Sequence, residues 1–190
     1  MTAVQERSTR AMGTTARVTV VGSDAATADA VLRRLDDLEA RWSRFRETSE
    51  LSRMNASAGS PCIVSADTFT LVEHLVGAWY DTAGRFDPSV HDALVHLGYA
   101  TSLPFDDPSC RGVEAGLHAL QPDATPGCSG VRLDRALRMV WLPDGVHLDP
   151  GGLGKGLAAD MLAEEAMAAG AAGVLIDLGG DVRVVGEPPE

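Results

Sequence analysis

Two apolar segments near the end of the chain are separated by only a short glycine turn. Residues 174–178 form a continuous apolar run typical of a buried strand, and residues 182–185 follow directly after the turn at 179–181. Residues 131–134 and 138–142 flank a second short turn in the same way. Because strands joined by tight turns pair antiparallel, the sequence predicts an α+β fold with a mixed or antiparallel sheet.

Strand and helix signals also alternate along the chain. Residues 16–21 are rich in β-branched side chains and predict a strand that ends at Gly22. Val146 and Leu148 predict a strand-like approach to the glycine cluster that follows them. Three further segments have the apolar spacing or the residue types that favour helices flanking the sheet. We expect these helices from Ser23 or Asp24 to about Phe45, from Ser65 to near Gly84, and from Leu157 to about Ala169.

The composition fits one compact domain. The chain has 190 residues, of which 45% are hydrophobic and 23% charged, so it can bury a core. We expect this domain over residues 11–190, with residues 1–10 flexible. The net charge of −11, without a basic stripe, argues against a nucleic-acid partner.

Cysteine usage and hydropathy indicate the cellular compartment. Cys62, Cys110 and Cys128 are odd in number and lack CxxC spacing, so they predict neither a disulfide framework nor a zinc site. No run is apolar and long enough for a signal peptide or a membrane span. We therefore expect a cytoplasmic protein without a transmembrane segment.

The one lysine of the chain lies in its densest glycine cluster. The 16 basic residues comprise 15 Arg and Lys155, which stands within residues 151–156 at the start of a predicted helix. A Walker A loop needs Ser or Thr where Gly156 stands, and the spacing does not give the Rossmann GxGxxG pattern. Glycine amides at a helix N-terminus, one ammonium and the preceding Asp149 predict a small phosphate site. The alternative is a tight strand-to-helix turn with a solvated lysine.

Five motifs occur in the order found in one enzyme family. They are Met12-Gly13-Thr14 and residues 49–55, 84–90, 149–160 and 177–181. From Ala11 to Gly186 the chain therefore resembles the ApbE family of FAD:protein FMN transferases. The resemblance implies a Mg²⁺-dependent enzyme that splits FAD, transfers FMN to a Thr or Ser hydroxyl of a target flavoprotein and releases AMP. It also implies a T-fold-like α+β architecture.

The same resemblance implies which residues contact the substrate. Gly152 matches a position whose backbone carbonyl contributes to Mg²⁺, a role that needs no side chain. For Phe45 and Phe86 the alternative is ordinary core packing. The positions that match FAD contacts of the family are Met12, Phe45, Arg85, Phe86, Asp87, Asp149 and Lys155.

The family pattern includes segments that this sequence does not match. Two C-terminal segments of the family carry an Asp and a Thr that hold magnesium, so we expect an architecture incomplete at the C-terminus. The favoured hypothesis is the flavin-binding N-terminal portion of an FMN transferase, whose partner is a flavoprotein with an acceptor Thr or Ser. The alternatives are a non-catalytic FAD-binding module and a fragment without a ligand.

Overall fold

The structure, a computed structural model, describes residues 3–101 and 125–188. The chain divides into two compact units. The single domain expected over residues 11–190 stays a prediction. The first unit comprises Met1–Ala40 and Leu153–Glu190, and the second comprises Arg41–Gly152. Cys62 and Cys128 are free thiols, and Cys110 lies outside the described residues.

The described residues form seven strands and five α-helices. The strands are β1 (Val4–Ala11), β2 (Thr14–Val21), β3 (Pro61–Ile63), β4 (Arg132–Asp134), β5 (Met139–Trp141), β6 (Gly173–Leu178) and β7 (Asp181–Gly186). The helices are α1 (Ala25–Trp42), α2 (Glu50–Ala56), α3 (Ala66–Asp81), α4 (His91–His96) and α5 (Gly154–Ala168), with a 3₁₀ turn at Pro88–Val90. None of the helices in this described part of the chain is long and apolar enough to cross a membrane.

The first unit is built on a four-stranded antiparallel sheet in the order β1-β2-β6-β7. Helix α5 packs on β6 and β7. The β6–β7 hairpin confirms the prediction made from the glycine turn. The buried side chains of this unit include Val18, Val20, Leu35, Leu38, Leu162, Ile176 and Leu178.

Strand β1 includes residues 4–10 of the segment for which the sequence predicted flexibility. Its residues 4–11 pair with β2 along the full length of both strands, from Val4 with Val21 to Ala11 with Thr14. The strand lies at the sheet edge and carries charged and polar side chains, so it has no apolar face to reveal it in the sequence. Backbone pairing, rather than side-chain burial, orders it.

The second unit contains a small antiparallel sheet in the order β3-β5-β4. The β4–β5 hairpin and helix α3, capped by Ser65, were both predicted from the sequence. Helix α2, helix α4 and strand β3 were not predicted, because each is too short to show a clear periodicity. The fully buried side chains here include Leu51, Met54, Leu71, Leu75, Leu142 and Leu148.

Two predictions, the end of one helix and a strand-like segment, are wrong for local reasons. Helix α1 ends at Trp42 rather than near Phe45, because the backbone turns at Ser43, whose carbonyl and hydroxyl accept hydrogen bonds from Arg46 N and Phe45 N. The strand-like approach through Val146 and Leu148 is absent from the described residues. The backbone N–H and C=O of Leu148 instead bond to the side chain of Asn55, at 2.9 Å each. The α+β class with antiparallel sheets and flanking helices is nevertheless confirmed.

Candidate functional site

Two hairpin turns lie at the same end of the sheet in the first unit. The β1–β2 turn consists of Met12 and Gly13, and the β6–β7 turn of Gly179 and Gly180. Strands β2 and β6 pair with Ala16 opposite Leu178, which sets the two turns side by side. A side chain at Gly179 would collide with Thr14, so only glycine fits the close approach of these turns.

Met12 occupies an uncommon backbone conformation. Its φ is +50° and that of Gly13 is +73°, so both turn residues are left-handed. Two-residue hairpin turns of this kind prefer Asn, Asp or Gly, and an unbranched side chain such as Met is disfavoured there by about 1–2 kcal/mol. Strain of this sort persists where the surroundings or the function require the side chain. Met12 is also one of the positions that the family resemblance singled out, and it shares its positive φ with Ala83 and Arg138.

Lys155 lies in the first turn of helix α5, next to the same end of the sheet. Its Nζ is 2.7 Å from Oδ2 of Asp181, the first residue of β7. Oδ1 of Asp177 accepts a hydrogen bond from Gly180 N at 2.9 Å. Leu153, at the N-cap position of α5, makes no side-chain hydrogen bond to the helix, so its first amides lack a side-chain cap. An ammonium beside uncapped amides suits a phosphate group.

In the second unit, Arg44 joins residues that are far apart in sequence. Its Nε is 2.9 Å from Oδ2 of Asp149, and both side chains are less than one-tenth exposed. The guanidinium carbon also lies 4.3 Å from the ring centre of Phe45 and 4.2 Å from that of Tyr99. The two rings meet edge to face, with centroids 5.6 Å apart. Arg44 therefore links a buried carboxylate to two aromatic rings.

Two polar atoms of this cluster have no hydrogen-bond partner in the described residues. Arg44 Nη2 and Asp149 Oδ2 are both buried without one. The 2.9 Å contact of Asp149 Oδ2 is with Arg44 Nε, and it is an ion pair rather than an aligned hydrogen bond. Phe45 and Tyr99 are 38% and 37% exposed. Buried polar atoms are almost always satisfied in folded proteins, so Arg44 Nη2 is a candidate contact for a polar group.

Asp149 is held in place from three directions. Its backbone N donates to the carbonyl of Pro88 at 2.7 Å, and its Oδ1 accepts from Gly151 N at 2.7 Å. The preceding Leu148 is fixed by both groups of the Asn55 amide. The carboxylate therefore has a defined position, set by backbone contacts as well as by Arg44.

Phe86 and Asp87 also lie close to this loop. A Cβ atom at Gly152 would stand 2.9 Å from Cε2 of Phe86, so the glycine lets the backbone approach the ring. Asp87 Oδ1 accepts hydrogen bonds from Ser89 N at 2.9 Å and Ser89 Oγ at 2.7 Å, which caps the 3₁₀ turn. Arg85 is exposed. The structure thus gives Asp87 a structural role, in addition to the FAD contact that the resemblance implies.

The buried thiol of Cys128 lies near the carboxylate of Asp87. Burial raises the pKa of Cys128 to about 12, with a further contribution from the negative charge of Asp87. Cys128 is fully buried, so it remains a protonated, unreactive thiol near neutral pH.

The structure brings together part of the predicted residue set and adds to it. Arg44 contacts both Phe45 and Asp149, and the ring of Phe86 lies against the backbone at Gly152. The sequence analysis missed the roles of Arg44, Tyr99, Asn55 and Asp181. The pairing of Arg44 with Asp149 spans more than one hundred residues, and its one local signal is the aromatic neighbour of the arginine.

Comparisons with known proteins agree with the family resemblance of the five sequence motifs. The sequence model of the ApbE family matches residues 12–190. An FAD:protein FMN transferase of Haemophilus influenzae is 27% identical over 198 residues, covering 98% of this chain and 56% of that protein. A second, from Vibrio cholerae, is 25% identical over 155 residues, covering 81% of this chain and 45% of that protein.

Solved structures extend the similarity to the fold. The crystal structure of the ApbE protein from Thermotoga maritima matches with a TM-score of 0.78 and 26% identity, covering 98% of this chain and 60% of that chain. The chain spans about half the length of the curated relatives that it matches. Since the family model covers nearly every residue, this chain belongs to the ApbE family.

Proposed function

We propose that this chain forms the flavin-binding part of an FAD:protein FMN transferase. The whole enzyme would transfer FMN from FAD to a Thr or Ser hydroxyl of a target flavoprotein and release AMP, with Mg²⁺ as cofactor. Family membership and the names of two curated relatives support this activity. The chain spans about half of those relatives, and the role proposed for its own residues is the binding of FAD.

The cluster around Arg44 carries this proposal. An isoalloxazine ring is flat and apolar on its faces, and it has hydrogen-bond donors and acceptors along one edge. Phe45 and Tyr99 offer partly exposed aromatic surface, and the buried Arg44 Nη2 offers a donor. Aromatic surface with a few converging polar atoms is the usual composition of a site for such a ligand.

The first unit contributes its own candidate contacts for phosphate. Lys155 and the uncapped amides of helix α5 supply positive charge and donors, as a pyrophosphate requires. Lys155 is paired with Asp181, and an incoming phosphate would compete with that carboxylate for the ammonium. FAD has a pyrophosphate and FMN a single phosphate, so this arrangement favours FAD.

The described residues of either unit do not by themselves make a magnesium site. Mg²⁺ requires octahedral oxygen ligation, commonly with at least one carboxylate. In the second unit the carbonyl of Gly152 is a donor of the right kind, but the nearby Asp149 already faces Arg44 at 2.9 Å. In the first unit Asp181 faces Lys155 at 2.7 Å, and Asp177 is bonded to a backbone amide. These oxygen atoms are of the type that binds Mg²⁺, but they are too few for octahedral ligation.

Asp149 and Asp181, which lie nearest the candidate contacts, are each paired with a basic side chain, and this pairing favours a second candidate function. A module that binds FAD without cleaving it needs the aromatic cluster and the phosphate donors, and it needs no metal. The two candidates share FAD binding and differ in chemistry.

The test combines binding with product analysis. The 190-residue chain is incubated with FAD, Mg²⁺ and a flavoprotein acceptor that carries a Thr, and AMP and acceptor-bound flavin are measured. Bound FAD without Mg²⁺-dependent AMP supports the flavin-binding part. Restoration of AMP release by the C-terminal portion of a relative then favours the transferase over the non-catalytic module. Absence of FAD binding would contradict both functions.

A further inference from the structure

A group of two histidines and one aspartate stands apart from the residues discussed above. His91 and Asp92 open helix α4, and His147 comes two residues before Asp149. Nδ1 of His91 lies 2.9 Å from Oδ1 of Asp92. Nδ1 of His147 lies 2.8 Å from each of the two carboxylate oxygens of Asp92. The imidazole rings meet nearly at right angles, with centroids 5.9 Å apart.

The three side chains lie close enough together to hold a metal ion. One ring nitrogen of each histidine and one oxygen of Asp92 lie within 4.8 Å of one another, and within residues 3–101 and 125–188 this is the one group of its kind. Zn²⁺ bonds to imidazole nitrogen and carboxylate oxygen are about 2.0–2.2 Å long, which separates tetrahedral ligands by about 3.3 Å. The distances of 2.9 and 2.8 Å from Oδ1 of Asp92 to Nδ1 of His91 and of His147 are about 0.5 Å shorter than that separation, so the side chains would move apart to admit an ion.

Two imidazoles and one carboxylate are also a suitable set of ligands for a divalent cation. A hydrogen bond from each Nδ1 to Asp92 needs a proton on each nitrogen, whereas one divalent ion replaces both protons and is held by a negative charge. The side chains of His91, Asp92 and His147 are 22%, 48% and 30% exposed, so an ion can enter and keep a water ligand. Imidazole nitrogen binds Zn²⁺, Co²⁺ or Ni²⁺, whereas Mg²⁺ prefers a site made of oxygen ligands.

We propose that His91, Asp92 and His147 bind one divalent transition-metal ion, with Zn²⁺ as the leading candidate. The ion would join the segment after Asp87 to the segment before Asp149. These two segments are already linked by the hydrogen bond from Asp149 N to the carbonyl of Pro88. The metal is therefore a structural clamp on the two loops of the second unit, separate from the Mg²⁺ that the family resemblance implies.

The experiment uses the untagged 190-residue chain, stripped of metal with a chelator and kept free of flavin. Zn²⁺ is titrated by calorimetry, and Co²⁺ by its visible absorption. We expect one ion per chain, a tetrahedral Co²⁺ spectrum and a higher melting temperature with Zn²⁺. Because no flavin is present, this result is independent of the proposed function.

Variants identify the ligands. His91→Gln, Asp92→Asn and His147→Gln are each expected to weaken Zn²⁺ binding at least tenfold. His74→Gln is the matched control, since His74 is exposed on helix α3 and bonds to the carbonyl of Thr70. A wild-type chain that binds no stoichiometric Zn²⁺ would overturn the proposal whether or not the variants fold. Unchanged binding in Asp92→Asn and His147→Gln, with native circular dichroism, would also overturn it.

Discussion

Nε of Arg44 lies 2.9 Å from Oδ2 of Asp149, and both side chains are almost fully buried. Removing one member of a buried ion pair leaves an uncompensated charge and typically costs about 3–5 kcal/mol. We therefore expect Arg44→Ala and Asp149→Ala each to lower the free energy of unfolding by about that amount, and the double variant to lose much less than the sum. Urea unfolding of the four proteins measures this coupling.

The control for that cycle is Arg135→Ala. Arg135 pairs with Glu73 at 2.7 Å, but its side chain is 83% exposed, so the loss should stay within about 1 kcal/mol. Additive effects of the Arg44 and Asp149 substitutions would show that the two charges do not stabilise each other.

Met12 offers a test of strain retained at a functional position. Because its φ is +50°, Met12→Gly should raise the free energy of unfolding by about 1 kcal/mol, as glycine takes this conformation without a steric cost. The same substitution should weaken FAD binding, since it removes the proposed contact. Ala83→Gly is the matched control, because Ala83 has a φ of +51°. It should be stabilised in the same way and bind FAD normally; equal FAD affinity in both variants would leave Met12 without a role in binding.

Asn55 tests how the Asp149 loop is positioned. Asn55→Ala leaves the buried N–H and C=O of Leu148 without partners, at a cost of about 1–3 kcal/mol for each group. FAD affinity should fall as well, because Leu148 precedes Asp149. Ser57→Ala, which removes an exposed hydroxyl bonded to the carbonyl of Arg53, serves as the control. A loss of stability with unchanged FAD affinity would separate Asn55 from the candidate site.

The elements that the sequence predicted are those with local signals. The β4–β5 and β6–β7 hairpins and the helices α1, α3 and α5 follow from turn residues, apolar spacing and Ser65 as a cap. Strand β1 lacked such a signal, because it is an edge strand ordered by its pairing with β2. The pairing of Arg44 with Asp149 and of Asn55 with Leu148 depends on the tertiary fold, so spacing along the chain does not reveal it. Motif resemblance named Phe45 and Asp149 as candidate FAD contacts, but it did not name Arg44, which contacts both.

The two described cysteines should differ in reactivity. Burial, together with the charge of Asp87, raises the pKa of Cys128 to about 12, so its folded thiol stays protonated at pH 8. Burial also raises the pKa of Cys62, but this side chain is only partly buried. In a Cys110→Ser background, iodoacetamide at pH 8 should alkylate Cys62 well before Cys128, as read by peptide mass mapping. Equal rates would mean that Cys128 is accessible in the folded chain.

The raised pKa of Cys128 also sets a pH dependence. Because the folded pKa lies above the unfolded value near 9, the contribution of this thiol to stability is complete below about pH 9 and is lost as the pH rises toward 12. The slope of unfolding free energy between pH 9 and 10.5 should therefore be shallower in Cys128→Ala than in the parent protein.

Titration of the 190-residue chain with FAD and with FMN, followed by flavin fluorescence, tests the central claim most directly. We expect FAD to bind more tightly than FMN, and Lys155→Ala to weaken FAD binding by about 1–3 kcal/mol through loss of a charge-assisted contact. Arg183→Ala is the control, since Arg183 pairs with Asp160 at 3.3 Å with both side chains about half exposed. Equal affinity for the two flavins, or binding of neither, would contradict a pyrophosphate-binding flavin site in this chain.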